Sequence, residues 1–157
     1  MPIDIGLEDA ARKKVSDGLR RFLADSYVLY MRTHGYHWNV EGPRFNSLHQ
    51  MFEEQYTELW GALDDLAERI RALGAYAPGN GKELAEVASL AEPTNDRPDA
   101  DGMVRALLNG HESLARDARE LIDLAGDAGD VGTEDMITAR LQVHEKTAWM
   151  LRASLAQ

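Results

Sequence analysis

Apolar residues recur at intervals of three and four along nearly the whole chain, and no stretch alternates apolar and polar residues over a strand's length. The pattern predicts helices throughout. The first is expected from about Leu7 into the low thirties, where Val15, Leu19, Phe22, Leu23 and the stretch Ser26–Tyr30 trace an apolar stripe, and it should end around "HGYHWN". "EGPR" then breaks the pattern, and Pro43 suits the first turn of a new helix. That second helix is predicted from about Pro43 to Leu73, with Gly74 as its C-terminal cap and "APGNGK" as loop. "ELAEVASLAE" predicts a short helix inside the connection, and "PTNDRPDADG" the next break. A third helix carries Met103, Val104, Leu107, Leu108, Leu114, Ala118, Leu121 and Ile122, and "AGDAGDVGT" separates it from the last. In the last helix Ile137, Leu141, His144, Ala148, Leu151 and Leu155 form a heptad-like seam. Four long helices and one long middle connection with its own short helix predict an all-α, four-helix bundle.

The polar positions of the second helix do not follow from packing alone. With His49 at zero and about 100° per residue, Glu53 lies at about 40°, Asp64 at about 60° and Glu68 at about 100°. The apolar residues from Phe45 to Leu73 fill an arc from about −120° to −20°. Glu54, Glu58 and Asp65 point to the far, solvated side. The four candidate ligands therefore occupy a shoulder between core and solvent, as two pairs spaced i, i+4, with His37 poised in the preceding turn. Glu53 and Asp64 are about 16 Å apart along the helix, while metal–ligand bonds are about 2 Å. If both pairs serve one ion, they must come from two chains. A twofold axis laying two copies of the helix antiparallel would set His49 and Glu53 of one against Asp64 and Glu68 of the other, creating two equal sites. The alternative is ordinary surface carboxylates beside a half-buried histidine. Two imidazoles with three carboxylates suit iron(II), with manganese and zinc also within reach.

Composition narrows the chemistry. At 157 residues the chain is expected to be a single domain over residues 1–157 that folds without a disulfide or metal staple. The absence of cysteine excludes disulfides, thiolate metal sites and thiol catalysis. A formal net charge of −10 disfavours nucleic acid and anionic membranes and favours cationic ligands. "MPIDIGLEDA" has neither the basic nor the apolar part of a signal peptide, and no apolar run approaches a membrane span, so a cytoplasmic protein is expected. Glutamate is absent three residues before each of the five histidines, which excludes the Glu-x-x-His di-iron motif inside one bundle. His144 is expected as a hydrogen-bonded core residue, His34 and His111 have no evident partner, and Met136 and Met150 are expected to pack.

"HWNVEGPRFNSLHQMFEE", "ALDDLAERIRALG" and "VHEKTAWMLRA" resemble the motifs of the Dps family, the DNA-binding proteins from starved cells or mini-ferritins. The likeness extends over nearly the whole chain. It implies a ferritin-like bundle assembled as a hollow dodecamer that oxidises iron(II), preferably with hydrogen peroxide or else O2, stores the ferric product and protects against oxidative stress. By motif position it implies metal ligands His37, His49 and Glu53 from one subunit and Asp64 and Glu68 from its neighbour. Glu53 stands where the family usually has aspartate. Trp38 matches a tryptophan beside the family's iron site, with electron donation as one role and plain packing as the other. In the family, acidic residues of the "GDAGDVGTEDM" stretch line threefold pores that admit ferrous ions. Asp130 and Asp135 match best, then Asp127 and Glu134; the alternative role is capping a helix N-terminus. Many family members bind DNA through a lysine-rich tail, which this early-starting first helix leaves no room for, so weak or absent DNA binding is expected. The other candidates are a DNA-compacting structural protein with little iron chemistry and a zinc- or manganese-binding helical module.

Overall fold

The computed structural model describes residues 2–91 and 97–155. Five helices account for most of them: α1 (Asp9–Asn39), α2 (Phe45–Ala72), the short α3 (Gly81–Val87), α4 (Ala100–Asp127) and α5 (Val131–Ser154). There is no strand among the described residues. α1 packs on both α2 and α4, and α4 packs on α5. Arginines tie α2 to α5: Arg140 holds the Glu58 carboxylate, and Arg69 reaches Asp130 and Thr133. The bundle is therefore a four-helix ring with α3 lying against α1.

The apolar stripes meet along the bundle axis, where Leu19, Leu29, Phe52, Leu59, Leu66, Ile70, Leu107, Leu114, Ile137 and Leu151 are buried. Burying side chains of this size stabilises a fold by about 1.5–3 kcal/mol each. Small residues let α1 and α4 approach closely. A Cβ added at Gly110 would lie 2.6 Å from Leu29 Cδ1, and one at Gly18 would lie 2.7 Å from Leu121 Cδ1. Gly74 ends α2 as predicted, at φ +96°, with the Ala75 N–H returning to the Ile70 carbonyl.

Three boundaries differ from the predicted ones. α1 does not end around "HGYHWN" but continues through it, so His37 sits on the helix rather than in a following turn. Its aromatic rings pack onto α2, and the chain reverses only at Gly42, at φ +106°. α3 stops at Val87, because the carboxylate of buried Asp25 on α1 captures the Ser89 N–H, the Ser89 hydroxyl and the Leu90 N–H at 2.6, 2.6 and 2.7 Å. Those three bonds pull the connection into extended backbone and strap it to α1. The predicted end of that helix at residue 92, and residues 93–96 of the break after it, lie outside the described residues. α4 runs through Asp127, since Gly126 is tolerated inside the helix and the stop comes from Gly129 at φ +74°.

Candidate metal centre

The hairpin between α1 and α2 sets the last turns of one helix against the first turns of the other, and brings His37 onto His49. Their rings stack with centroids 3.7 Å apart and planes 15° from parallel. Each ring also bonds the other residue's backbone. His37 Nδ1 lies 2.8 Å from the His49 carbonyl oxygen, and His49 Nδ1 lies 2.7 Å from the His37 carbonyl oxygen. A carbonyl can only accept, so each Nδ1 must carry the proton and donate it. In the neutral rings this leaves both Nε2 atoms with free lone pairs, the tautomer a metal ligand needs. Two adjacent imidazoles are thereby held in ligand form by main-chain atoms alone. His37 is buried and His49 half-buried, while Phe45 stacks on the outer side of His49 at 4.9 Å.

The carboxylates predicted from sequence stand exposed along α2. Glu53 follows His49 by one turn, and Asp64 and Glu68 lie several turns further on. Among the described residues, no three histidines or carboxylates of one chain converge on a point that could hold an ion. Asp64 lines a shallow groove of about 700 Å³ with Tyr27, Trp60 and Leu84. Glu58, expected to be merely solvated, is instead the partner of Arg140.

Aromatic residues that sequence reasoning did not select surround the histidine pair. His34, left without a partner in the sequence, shares a hydrogen bond with the Tyr30 hydroxyl, 3.1 Å from its Nδ1, and accepts it in the tautomer that carries its proton on Nε2. It lies between Tyr56, stacked at 3.9 Å, and Trp38 at 4.2 Å. Burial and then the neighbouring His37 push the His34 pKa down, so its ring is neutral near pH 7. Burial raises the Tyr30 pKa, with Tyr27 and Tyr56 adding to it, which keeps the phenol protonated. Trp38 thus packs on His34 and is 60% exposed. The signals available were the i, i+3 spacing of His34 and His37 and the placement of Tyr56 two turns beyond His49 on the same face.

The acidic stretch before α5 divides by role. Asp130, one of the two best pore candidates, is buried: it caps α5 through the Thr133 N–H at 3.0 Å, accepts the Thr133 hydroxyl at 2.6 Å and pairs with Arg69. Its carboxylate is spent within its own chain, which corrects the expectation that it lines a pore. Asp127 and Asp135 are exposed, and Glu134 is half-buried beside Gly126.

At the other end of the bundle's polar inventory, His144 is fully buried and hydrogen-bonded as predicted, and its partner is His111, with Nδ1 atoms 2.9 Å apart. Neither reaches the α1–α2 hairpin site.

Known proteins share this architecture. The ferritin-like domain family matches residues 16–157. A low temperature-induced protein of Nostoc sp. is 45% identical over 152 residues, covering 96% of this chain and 85% of that protein. DNA protection during starvation protein 2 of Bacillus anthracis is 37% identical over 145 residues, covering 92% and 99%. The crystal structure of a Dps protein from Vibrio cholerae O1, described as a member of a broad superfamily of ferritin-like diiron-carboxylate proteins, superposes with a TM-score of 0.93 at 36% identity, covering 99% and 98%. The fold and the family match define a ferritin-like protein. Within that class the chain belongs to the Dps family. No helix among the described residues is long and apolar enough to cross a membrane.

Proposed function

We propose that this protein is an iron-storage ferroxidase whose oxidising sites are each completed by two symmetry-related copies. One subunit supplies His37, His49 and Glu53, and the other supplies Asp64 and Glu68. The observation that carries the reading is the reciprocal lock between His37 and His49, which presents two Nε2 lone pairs side by side at a hairpin with exposed carboxylates beyond it. A packing role for the two rings would not require both Nε2 atoms to be left free.

Iron(II) is the substrate. The imidazoles fix its position, and the carboxylates offset its charge and favour the more highly charged product. Two ferrous ions supply the two electrons that hydrogen peroxide needs: 2 Fe2+ + H2O2 + 2 H+ → 2 Fe3+ + 2 H2O. The same site would accept O2 as a slower oxidant. Glu53, with one methylene more than aspartate, reaches further from α2 and keeps the charge. Ferric product collects inside a hollow shell, taken as twelve subunits, which ferrous ions reach past Asp127, Glu134 and Asp135. A cytoplasmic role in defence against peroxide follows. The formal charge of −10 per chain repels phosphate and makes DNA compaction the weaker reading.

Anaerobic loading with ferrous ion followed by peroxide in a stopped-flow instrument tests the proposal. The wild-type assembly should show rapid ferric absorbance, and His37→Gly/His49→Gly should lose at least about a hundredfold in rate while keeping its native mass. Equal rates in both would refute the ligand assignment. Tight zinc or manganese binding without any oxidation of iron would favour a metal-binding module instead.

A further inference from the structure

We propose that Tyr30, hydrogen-bonded to His34, is a built-in electron donor that completes the reduction of peroxide when the site holds only one ferrous ion. The inference rests on the ferroxidase reading above and extends it to a second redox-active residue class. Hydrogen peroxide takes up two electrons on its way to water. A single ferrous ion supplies one, and the remaining oxidising equivalent is released as hydroxyl radical unless another electron arrives.

The structure places that electron beside the histidine pair. Tyr56 lies 5.1 Å from the His37 ring, and Tyr30 lies 6.4 Å from Tyr56, ring centre to ring centre. Two short steps between aromatic rings therefore link Tyr30 to a candidate ligand. A phenol gives up an electron readily only if its proton can leave at the same moment, because the oxidised phenol is a strong acid. His34 Nδ1, 3.1 Å from the Tyr30 hydroxyl, is the receiver. Once protonated, the His34 ring lies against Tyr56 and Trp38, whose π electrons offset part of the cost that burial and His37 place on its charge, so the proton is held only while the radical lasts. Among the described residues, Tyr30 is the tyrosine whose hydroxyl bonds a histidine. Plain aromatic packing would be served as well by phenylalanine at position 30.

The step balances as Fe2+ + H2O2 + Tyr30–OH + His34 + 2 H+ → Fe3+ + Tyr30–O• + His34–H+ + 2 H2O, with the peroxide O–O bond broken and the two further protons drawn from solvent. The O–H bond of Tyr30 breaks, its electron goes to the peroxide oxygen and its proton passes to His34. At full loading the second ferrous ion outcompetes this route, so the pair acts at low iron.

The test loads the intact assembly anaerobically with ferrous ion at less than one per site, adds peroxide and freezes the mixture for electron paramagnetic resonance. The wild type should give a tyrosyl signal that narrows on ring-deuterated tyrosine, with one peroxide consumed per iron. Tyr30→Phe should lose that signal and release more hydroxyl radical to a spin trap, while oxidising iron normally at full loading. Tyr76→Phe, on an exposed tyrosine, should behave as wild type. An unchanged tyrosyl signal in Tyr30→Phe, or no protein radical in a wild type that oxidises iron rapidly, overturns the proposal. If the wild type does not oxidise iron with peroxide at all, the ferroxidase reading fails first, and the full-loading arm identifies that case.

Discussion

At the scale of single residues, two histidine pairs with opposite purposes occupy one small molecule. His37 and His49 turn their Nδ1 protons to carbonyls and leave Nε2 free near the surface. His111 and His144 bond each other in the core and leave both Nε2 atoms buried without a partner. Burial holds the core pair neutral, with Arg140 adding to it: the His111 pKa falls to about 3, and that of His144 is pushed well down, His111 contributing there as well. In the unfolded chain both histidines titrate near 6.5. The unfolded state therefore binds more protons than the folded one below that value. Stability is full above about pH 6.5 and is lost as the pH falls toward 3, by up to about 1.4 kcal/mol per pH unit for each histidine. Thermal unfolding between pH 7 and pH 4 should show this slope in the wild type and a flatter one in His111→Leu/His144→Leu; parallel slopes would show that carboxylates alone set the acid limit. The burial of His144 was legible in its heptad position. His111 was not, because its partner is 33 residues away and no local spacing records such a contact. The Tyr30–His34 bond escaped notice for the opposite reason: i, i+4 neighbours on a helix are ordinary, and only the flanking rings from α2 make this one distinctive.

At the scale of elements, helix count, order and type were readable from period alone, since four long stripes leave few alternatives to a bundle. The ends were less readable where tertiary contacts overrode local signals. Asp25 truncates α3 from another helix, and the aromatic residues of "HGYHWN" prolong α1 because α2 offers them a surface. The start of α5 shows how a charge pattern can mislead: four acids in nine residues look like one cluster, yet Asp130 serves Thr133 and Arg69, Glu134 is half-buried, and Asp127 and Asp135 face solvent. The two roles separate by mutation. Asp130→Ala removes a cap and leaves Arg69 beside a buried void, and should destabilise the fold by about 2 kcal/mol in denaturant titrations. Asp127→Asn/Asp135→Asn should change stability by less than about 0.5 kcal/mol and should slow iron uptake by the assembled shell. Equal destabilisation by both variants would undo this division.

At the scale of the whole molecule, charge and symmetry govern behaviour. A shell built from chains of formal charge −10 should not retain plasmid DNA at neutral pH, and a gel-shift titration at low salt checks it; tight retention would restore DNA compaction as a function. On α2 the sequence singles out two i, i+4 pairs, and an eleven-residue gap on a straight helix forbids one ion from reaching both; their union across a twofold axis is the proposal. What the chain alone could not display is the second copy. Complementation supplies it. A His37→Gly/His49→Gly chain and an Asp64→Ala/Glu68→Ala chain should each assemble without activity. Unfolded together and reassembled in equal amounts, they should regain rapid peroxide-driven iron oxidation at about a quarter of wild-type sites, because each mixed pair across the twofold axis restores one of its two centres. Mixed assemblies of the correct mass that stay inactive would contradict a centre divided between subunits.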